Sequence, residues 1–162
     1  MGSVDVTLRP IREEDRDFLR RLYASTRAEE LAQVTDWSAE QKEAFLTQQF
    51  EAQHHHYQRY YTDASFEIVL GDGEPIGRLY VSRWEREIRV VDVALVPEAR
   101  RRGVGGALLR DLLAEGERTG RTVSIHVERF NPAQRLYRRL GFREVEENGP
   151  YFLMAWRPPG LT

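Results

Sequence analysis

Between Val91 and Leu109 the chain reads VDVALVPEARRRGVGGALL, an apolar stretch running through an Arg- and Gly-rich turn into a segment of helical spacing. A short apolar run rich in Val is a strand and the segment beyond it is an amphipathic helix, so the polypeptide must pass from sheet to helix where Gly103, Gly105 and Gly106 cluster. Residues without a Cβ let backbone N–H groups approach an anion closely. The first turn of the helix adds unpaired N–H donors and the positive end of the dipole. That is the build of a phosphate cradle, and pyrophosphate is its natural guest.

Spacing separates the cradles that fit such a turn. The dinucleotide fingerprint needs a third glycine where Leu108 stands, together with an early strand–helix–strand unit that is missing upstream. A Walker loop needs a lysine directly after its glycines, and the single lysine of the chain is Lys42. Arg100-x-x-Gly103-x-Gly105, preceded by Pro97 and Glu98, remains. It resembles the coenzyme A loop of the GNAT N-acetyltransferases. A second block, Asn131-Pro-Ala-Gln-Arg-Leu-Tyr137-Arg-Arg-Leu-Gly141-Phe142, is similar to the closing motif of the same family.

At 162 residues the chain suits one domain, expected over 4–157, with 1–3 and 158–162 as frayed ends; a domain of this size buries roughly 70% of its unfolded surface. The apolar runs fall short of the ~18 residues a membrane span needs. With no cysteine and no visible signal peptide, the expected setting is cytoplasmic. A net charge of −2 argues against a nucleic-acid surface, and the one arginine cluster, Arg100 to Arg102, sits in the cradle.

Periodicity predicts a strand over 6–9, a helix over 12–25 and a second helix from the cap Ser38 to about Tyr60, with Gln41 completing a capping box. Strands follow over 65–70, 75–83 and 87–96, the first two a hairpin around Gly71-Asp72-Gly73-Glu74. Then come a helix over 103–119, a strand around 123–127, a helix from Asn131 as cap and Pro132 as first residue to Leu140, and two strands over 142–146 and 151–156. The fold class is α/β (α+β): a mixed, mostly antiparallel seven-stranded sheet with helices on both faces. This order coincides with that of the GNAT fold.

The resemblance implies acetyl-CoA as co-substrate, no metal, and direct transfer of the acetyl group to an amine, on a small molecule or a peptide N-terminus, by a monomer or homodimer. Its pyrophosphate would be held by the N–H groups of Arg101, Arg102, Gly103, Val104, Gly105, Gly106 and Ala107, with the guanidinium groups of Arg100 to Arg102 adding charge. Val93, Ala94, Leu95 and Val96 would pair with the pantetheine arm, as would the side chain of Asn131, which on residue type alone is a helix cap. Tyr137 would protonate the leaving thiolate; its alternative is packing on Leu140. Where some family members carry a glutamate as base this chain has Arg89, and where others carry one it has His126, whose ordinary pKa suits the task unless it is simply a strand histidine.

Asp92, a carboxylate inside an apolar strand, is either ion-paired to an arginine or a base or amine anchor, and Glu87 and Glu128 are further candidate bases. His54, His55 and His56 are consecutive and fan around a helix by about 200°, so they do not converge on a metal. Tyr57, Tyr60, Tyr61, Trp37, Phe45 and Phe50 make the second helix aromatic, as core or as a wall of the acceptor site. Glu29, Glu30 and Asp36 belong to the region between the first two helices, as a solvated loop or an amine anchor. A coenzyme A-binding domain without turnover is the rival reading.

Overall fold

The computed structural model describes residues 4–160. Strand β1 (Val6–Pro10) leads through a short 3-10 turn into α1 (Arg16–Ala32), and α2 (Ala39–Tyr60) follows. Then come β2 (Ser65–Gly71), β3 (Glu74–Arg83), β4 (Glu87–Leu95), α3 (Val104–Thr119), β5 (Thr122–Glu128), α4 (Gln134–Arg139), β6 (Arg143–Asn148) and β7 (Tyr151–Trp156). Their sheet order is β1-β2-β3-β4-β5-β7-β6. Every pairing is antiparallel except β4 with β5. Of the chain ends, 1–3 and 161–162 lie outside the described residues, while Pro158 is buried.

Two apolar layers sandwich the sheet. On one face Leu108, Leu109, Leu112 and Leu113 of α3 meet Val81, Ile88, Val90, Ile125 and Met154; on the other, Leu19 and Tyr23 of α1 and Phe50 of α2 close over Ile68. The helical spacing of α1 is the reason for its burial pattern, but the helix runs to Ala32 rather than Ser25. Ser25 and Thr26, residues that favour helix ends, return their hydroxyl hydrogens to the carbonyls of Leu22 and Tyr23 at 2.7 and 2.6 Å, and buried Leu31 anchors the extra turn. Ser38 caps α2 as its spacing implies, accepting the Gln41 N–H while the Gln41 side chain takes the Ser38 N–H.

The start of α4 is a correction. The regular helix begins at Gln134, not Pro132. Asn131 Oδ1 takes the Ala133 N–H at 2.9 Å, and the N–H groups of Gln134 and Arg135 reach back only three residues, at 3.2 Å each, so Asn131 to Ala133 form a tight turn.

One irregularity decides what β4 presents. Tyr80 faces Asp92 and Val81 faces Val90, which leaves Val91 as an extra residue, a bulge. Before it Ile88 and Val90 enter the α3 core; after it Val93 and Leu95 do, and Asp92 is thrown to the other face, beneath α2. Close approach to β3 is needed just here. A Cβ built on Gly77 would lie 2.3 Å from the Ala94 carbonyl oxygen and 3.2 Å from Leu95 Cα, both backbone atoms. Gly77→Ala is therefore expected to cost about 3 kcal/mol and lower Tm by roughly 6–12 °C, read by thermal melting; an unchanged Tm contradicts the packing at this point.

Asp15 ties α1 to β1. Both its oxygens receive the Arg9 guanidinium, at 2.7 and 2.8 Å, and Oδ2 also takes the Arg12 N–H. The Arg9 hydrogen bonds, helped by the Arg12 N–H, hold its carboxyl below the usual carboxylate range against the opposing effect of burial. A depressed carboxyl stabilises above its unfolded pKa of about 3.9 and loses that contribution as pH falls through the folded value. Melts from pH 7 to pH 3 should show Asp15→Asn less stable than wild type near neutrality, with a shallower acid slope; parallel curves would refute the assignment.

Candidate active site

Strands β4 and β5 pair only from Glu87↔Thr122 to Val90↔Ile125. Beyond Val90, β4 continues beside β3 alone and β5 beside β7 alone, so the parallel pair splays open. The ladder groups of Asp92 to Leu95 that would face β5 have no strand partner, and the Leu95 carbonyl takes a side-chain donor instead.

At the mouth of this gap stands the Gly-rich turn. Gly103 has φ +80 and nothing within 4 Å of a built Cβ; Gly105 has only Leu95 Cδ1, at 3.9 Å. Space, not protein, lies where their side chains would be. Arg101 also takes a left-handed φ of 63, which turns successive N–H groups the same way. The first N–H to join the helix ladder is that of Ala107, on the Gly103 carbonyl at 3.0 Å. An open concavity over free helix N–H groups fits a pyrophosphate. Arg100 has a different duty: its Nε donates to the Leu95 carbonyl at 3.0 Å and locks the end of β4, while Arg101 and Arg102 are exposed. A cleft of about 710 Å3 flanks the turn on its α1 side, lined by Phe18, Leu22, Ser25, Ile76, Val96 and Arg102.

Tyr137 of α4 is buried and its ring lies 5.9 Å from that of Phe142. Burial, and then the charge of Asp92, push its phenol up to about 12. Asp92 of β4 is thus within electrostatic reach of it, although the two are far apart along the chain. Asp92 Oδ2 accepts from Tyr57 Oη at 2.8 Å and from Arg78 Nη2 at 2.7 Å. Arg78, 3% exposed on β3, also donates to Gln53 Oε1 at 2.9 Å. The ion pair expected of Asp92 is present, and the arginine is Arg78.

Glu87 and His126 form a separate group centred on Arg89. Arg89 Nη2 is 2.9 Å from Glu87, its Nε donates to Ser124 Oγ at 2.7 Å, and Ser124 donates in turn to Glu87. Nη1 lies 3.4 Å from His126 Nδ1. Burial, then Arg89, lower the His126 pKa below its ordinary value, so the ring is neutral at pH 7. Glu128 is drawn outward to Arg27, 3.7 Å away. Asn131 spends Oδ1 on its own turn. His54 stacks on Phe50 at 5.5 Å, and His56 meets Tyr60 with tilted rings at 4.7 Å.

Gln53 and Arg78 are the site residues that sequence reasoning passed over, while Tyr57 reads from the sequence only as aromatic core or acceptor wall and not as a partner of Asp92. A signal existed: Arg78 is the one charge between Ile76 and Val81, as Asp92 is between Val90 and Val96, and two lone opposite charges in neighbouring apolar strands invite pairing.

The chain matches a family model, Acetyltransferase (GNAT) family, over residues 18–142. It belongs to the GNAT acetyltransferases. No curated protein sequence matches it. Among solved structures, the PaiA N-acetyltransferase of Thermoplasma acidophilum in complex with coenzyme A is 19% identical, with TM-score 0.68 over 94% of this chain and 99% of that one. A GNAT acetyltransferase of Elizabethkingia anophelis with acetyl-CoA bound is 18% identical (TM-score 0.60, 94% and 97% covered). The ribosomal-protein-S18-alanine N-acetyltransferase of Escherichia coli is 20% identical (TM-score 0.63, 94% of each). At such identities the likeness is one of fold. This GNAT protein shares their mixed-sheet fold, and among its described residues no helix is long and apolar enough to cross a membrane.

Proposed function

We propose that this GNAT protein transfers the acetyl group of acetyl-CoA to the amine of a small molecule, without a covalent enzyme intermediate. The observation that carries the reading is the stretch of β4 beyond Val90 that β5 leaves unpaired, leading into the open cradle of Gly103 and Gly105. The cradle's N–H groups hold the pyrophosphate, and the gap-facing backbone of Val93 to Leu95 orients the pantetheine arm and the thioester carbonyl; Val96, expected to share this task, gives its N–H to the Ile76 carbonyl and accepts the Ala99 N–H on its own carbonyl. The amine nitrogen attacks the carbonyl carbon, forming a C–N bond as the C–S bond breaks.

Tyr137 gives its proton to the departing sulfur and regains one from solvent. A phenol pushed up to about 12 stays protonated at neutrality and is available as an acid. The amine's own proton needs an acceptor. Arg89 engages both Glu87 and the Nδ1 of His126, whereas both partners of Asp92 take Oδ2 and leave Oδ1 free of hydrogen bonds among the described residues. Asp92 receives it, directly or through a water. The aromatic side chains of Tyr57 and Tyr61 on the α2 side favour a compact acceptor over a peptide.

Thiol release from acetyl-CoA across a panel of polyamines, amino acids, aminoglycosides and short peptides tests this, with calorimetry of coenzyme A alongside. Turnover with small amines supports it; turnover with peptides alone moves the acceptor class. Coenzyme A binding without turnover supports the non-catalytic rival, and absence of binding removes the cradle from the argument.

A further inference from the structure

Asp92 is held more elaborately than an ion pair requires. Arg78 is nearly fully buried, and its guanidinium lies 5.1 Å from the Tyr80 ring centroid and 6.0 Å from that of Tyr57. The Tyr57 ring packs edge-on against Tyr80 at 5.7 Å. The two donors therefore come from rigid side chains on different elements, β3 and α2, and both bond the same oxygen. Nearby, Arg78 Nε and Tyr80 Oη are buried without a hydrogen-bond partner. A carboxylate in this setting keeps one orientation and retains Oδ1, with its side chain 15% exposed.

We propose that Tyr57 and Arg78 are positioning residues that fix Asp92 so that its free Oδ1 seats the ammonium of a primary-amine acceptor. The inference rests on the acetyl-transfer reading and narrows it: the acceptor is recognised as a cation before it loses a proton to the same carboxylate. Arg78 sets the charge of the seat, leaving the Asp92–Arg78 pair neutral until the ammonium arrives, and Tyr57 sets its orientation. A neutral acceptor of the same shape gains at most one hydrogen bond from Oδ1, without the attraction between opposite charges.

The experiment is an NMR titration of the coenzyme A-loaded protein with n-butylammonium, with n-pentanol as the uncharged analogue. Wild type is expected to bind the ammonium saturably and at least tenfold more tightly than the alcohol. Asp92→Asn should weaken the ammonium at least tenfold and Tyr57→Phe about threefold to tenfold, each with its coenzyme A Kd within twofold of wild type. Tyr57→Phe keeps the ring contacts, so it decides the matter should Asp92→Asn fail to fold. No saturable binding to wild type, equal binding of alcohol and ammonium, or unweakened binding to either variant overturns the inference. Ammonium binding without thiol release would instead refute acetyl transfer and leave the seat intact.

Discussion

Replacing Tyr137 by phenylalanine is expected to lower kcat by roughly 10²- to 10³-fold, the usual loss when a positioned proton donor is removed. The ring still packs on Phe142, so Tm and coenzyme A affinity should hardly move. A smaller loss with an acceptor of low basicity would not rescue the role, because thiolate departure needs its proton whatever the nucleophile. With its phenol pushed up to about 12, Tyr137 remains an acid through the neutral range, and wild-type kcat should show no decline from its ionisation below about pH 10. A Tyr137→Phe enzyme with wild-type kcat would leave only a packing role, and the coenzyme A-binding reading would gain accordingly.

The second large effect is on stability. Asp92→Asn leaves the buried Arg78 charge without its counter-ion, a change that typically costs about 3–5 kcal/mol, or a fall in Tm of roughly 6–20 °C. Replacing both partners, as Arg78→Met with Asp92→Leu, removes the orphaned charge along with the carboxylate. Such a double variant should recover most of the lost Tm, as buried ion pairs exchanged for apolar residues commonly do. It should nonetheless transfer no acetyl group. Thermal melting and thiol release on the same three proteins separate what the pair does for folding from what Asp92 does for an acceptor. Equal melting temperatures for wild type and Asp92→Asn would mean that Arg78 is not held as an ion pair.

Local signals were enough for most of the architecture. The alternation in β5, the Ser38–Gln41 capping box of α2 and the glycines at 103 and 120 each act within a few residues, and the elements they imply are present. Boundaries failed where side chains satisfied one another in ways that spacing does not reveal: Ser25 and Thr26 bonded back into α1, and Asn131 held a turn that delayed α4. The cradle was legible for the same reason as the helices, since a left-handed glycine and an unpaired helix end are properties of a short run of chain.

The catalytic neighbourhood was legible only as a set of residues with roles in suspension. Asp92 reads as a carboxylate in an apolar strand, and nothing within that strand says which face it occupies. The bulge at Val91 decides it, and a bulge is set by how β4 pairs with β3. His126 reads as an apt base until Arg89, far from it in the chain, is found at its Nδ1. By itself the amino-acid sequence determined the order of elements, the phosphate-binding turn and the family, because those depend on periodicity and on residues close along the chain. The tertiary structure alone decided that Tyr57 and Arg78 converge on Asp92, because strand register and helix packing bring together residues that the sequence keeps apart.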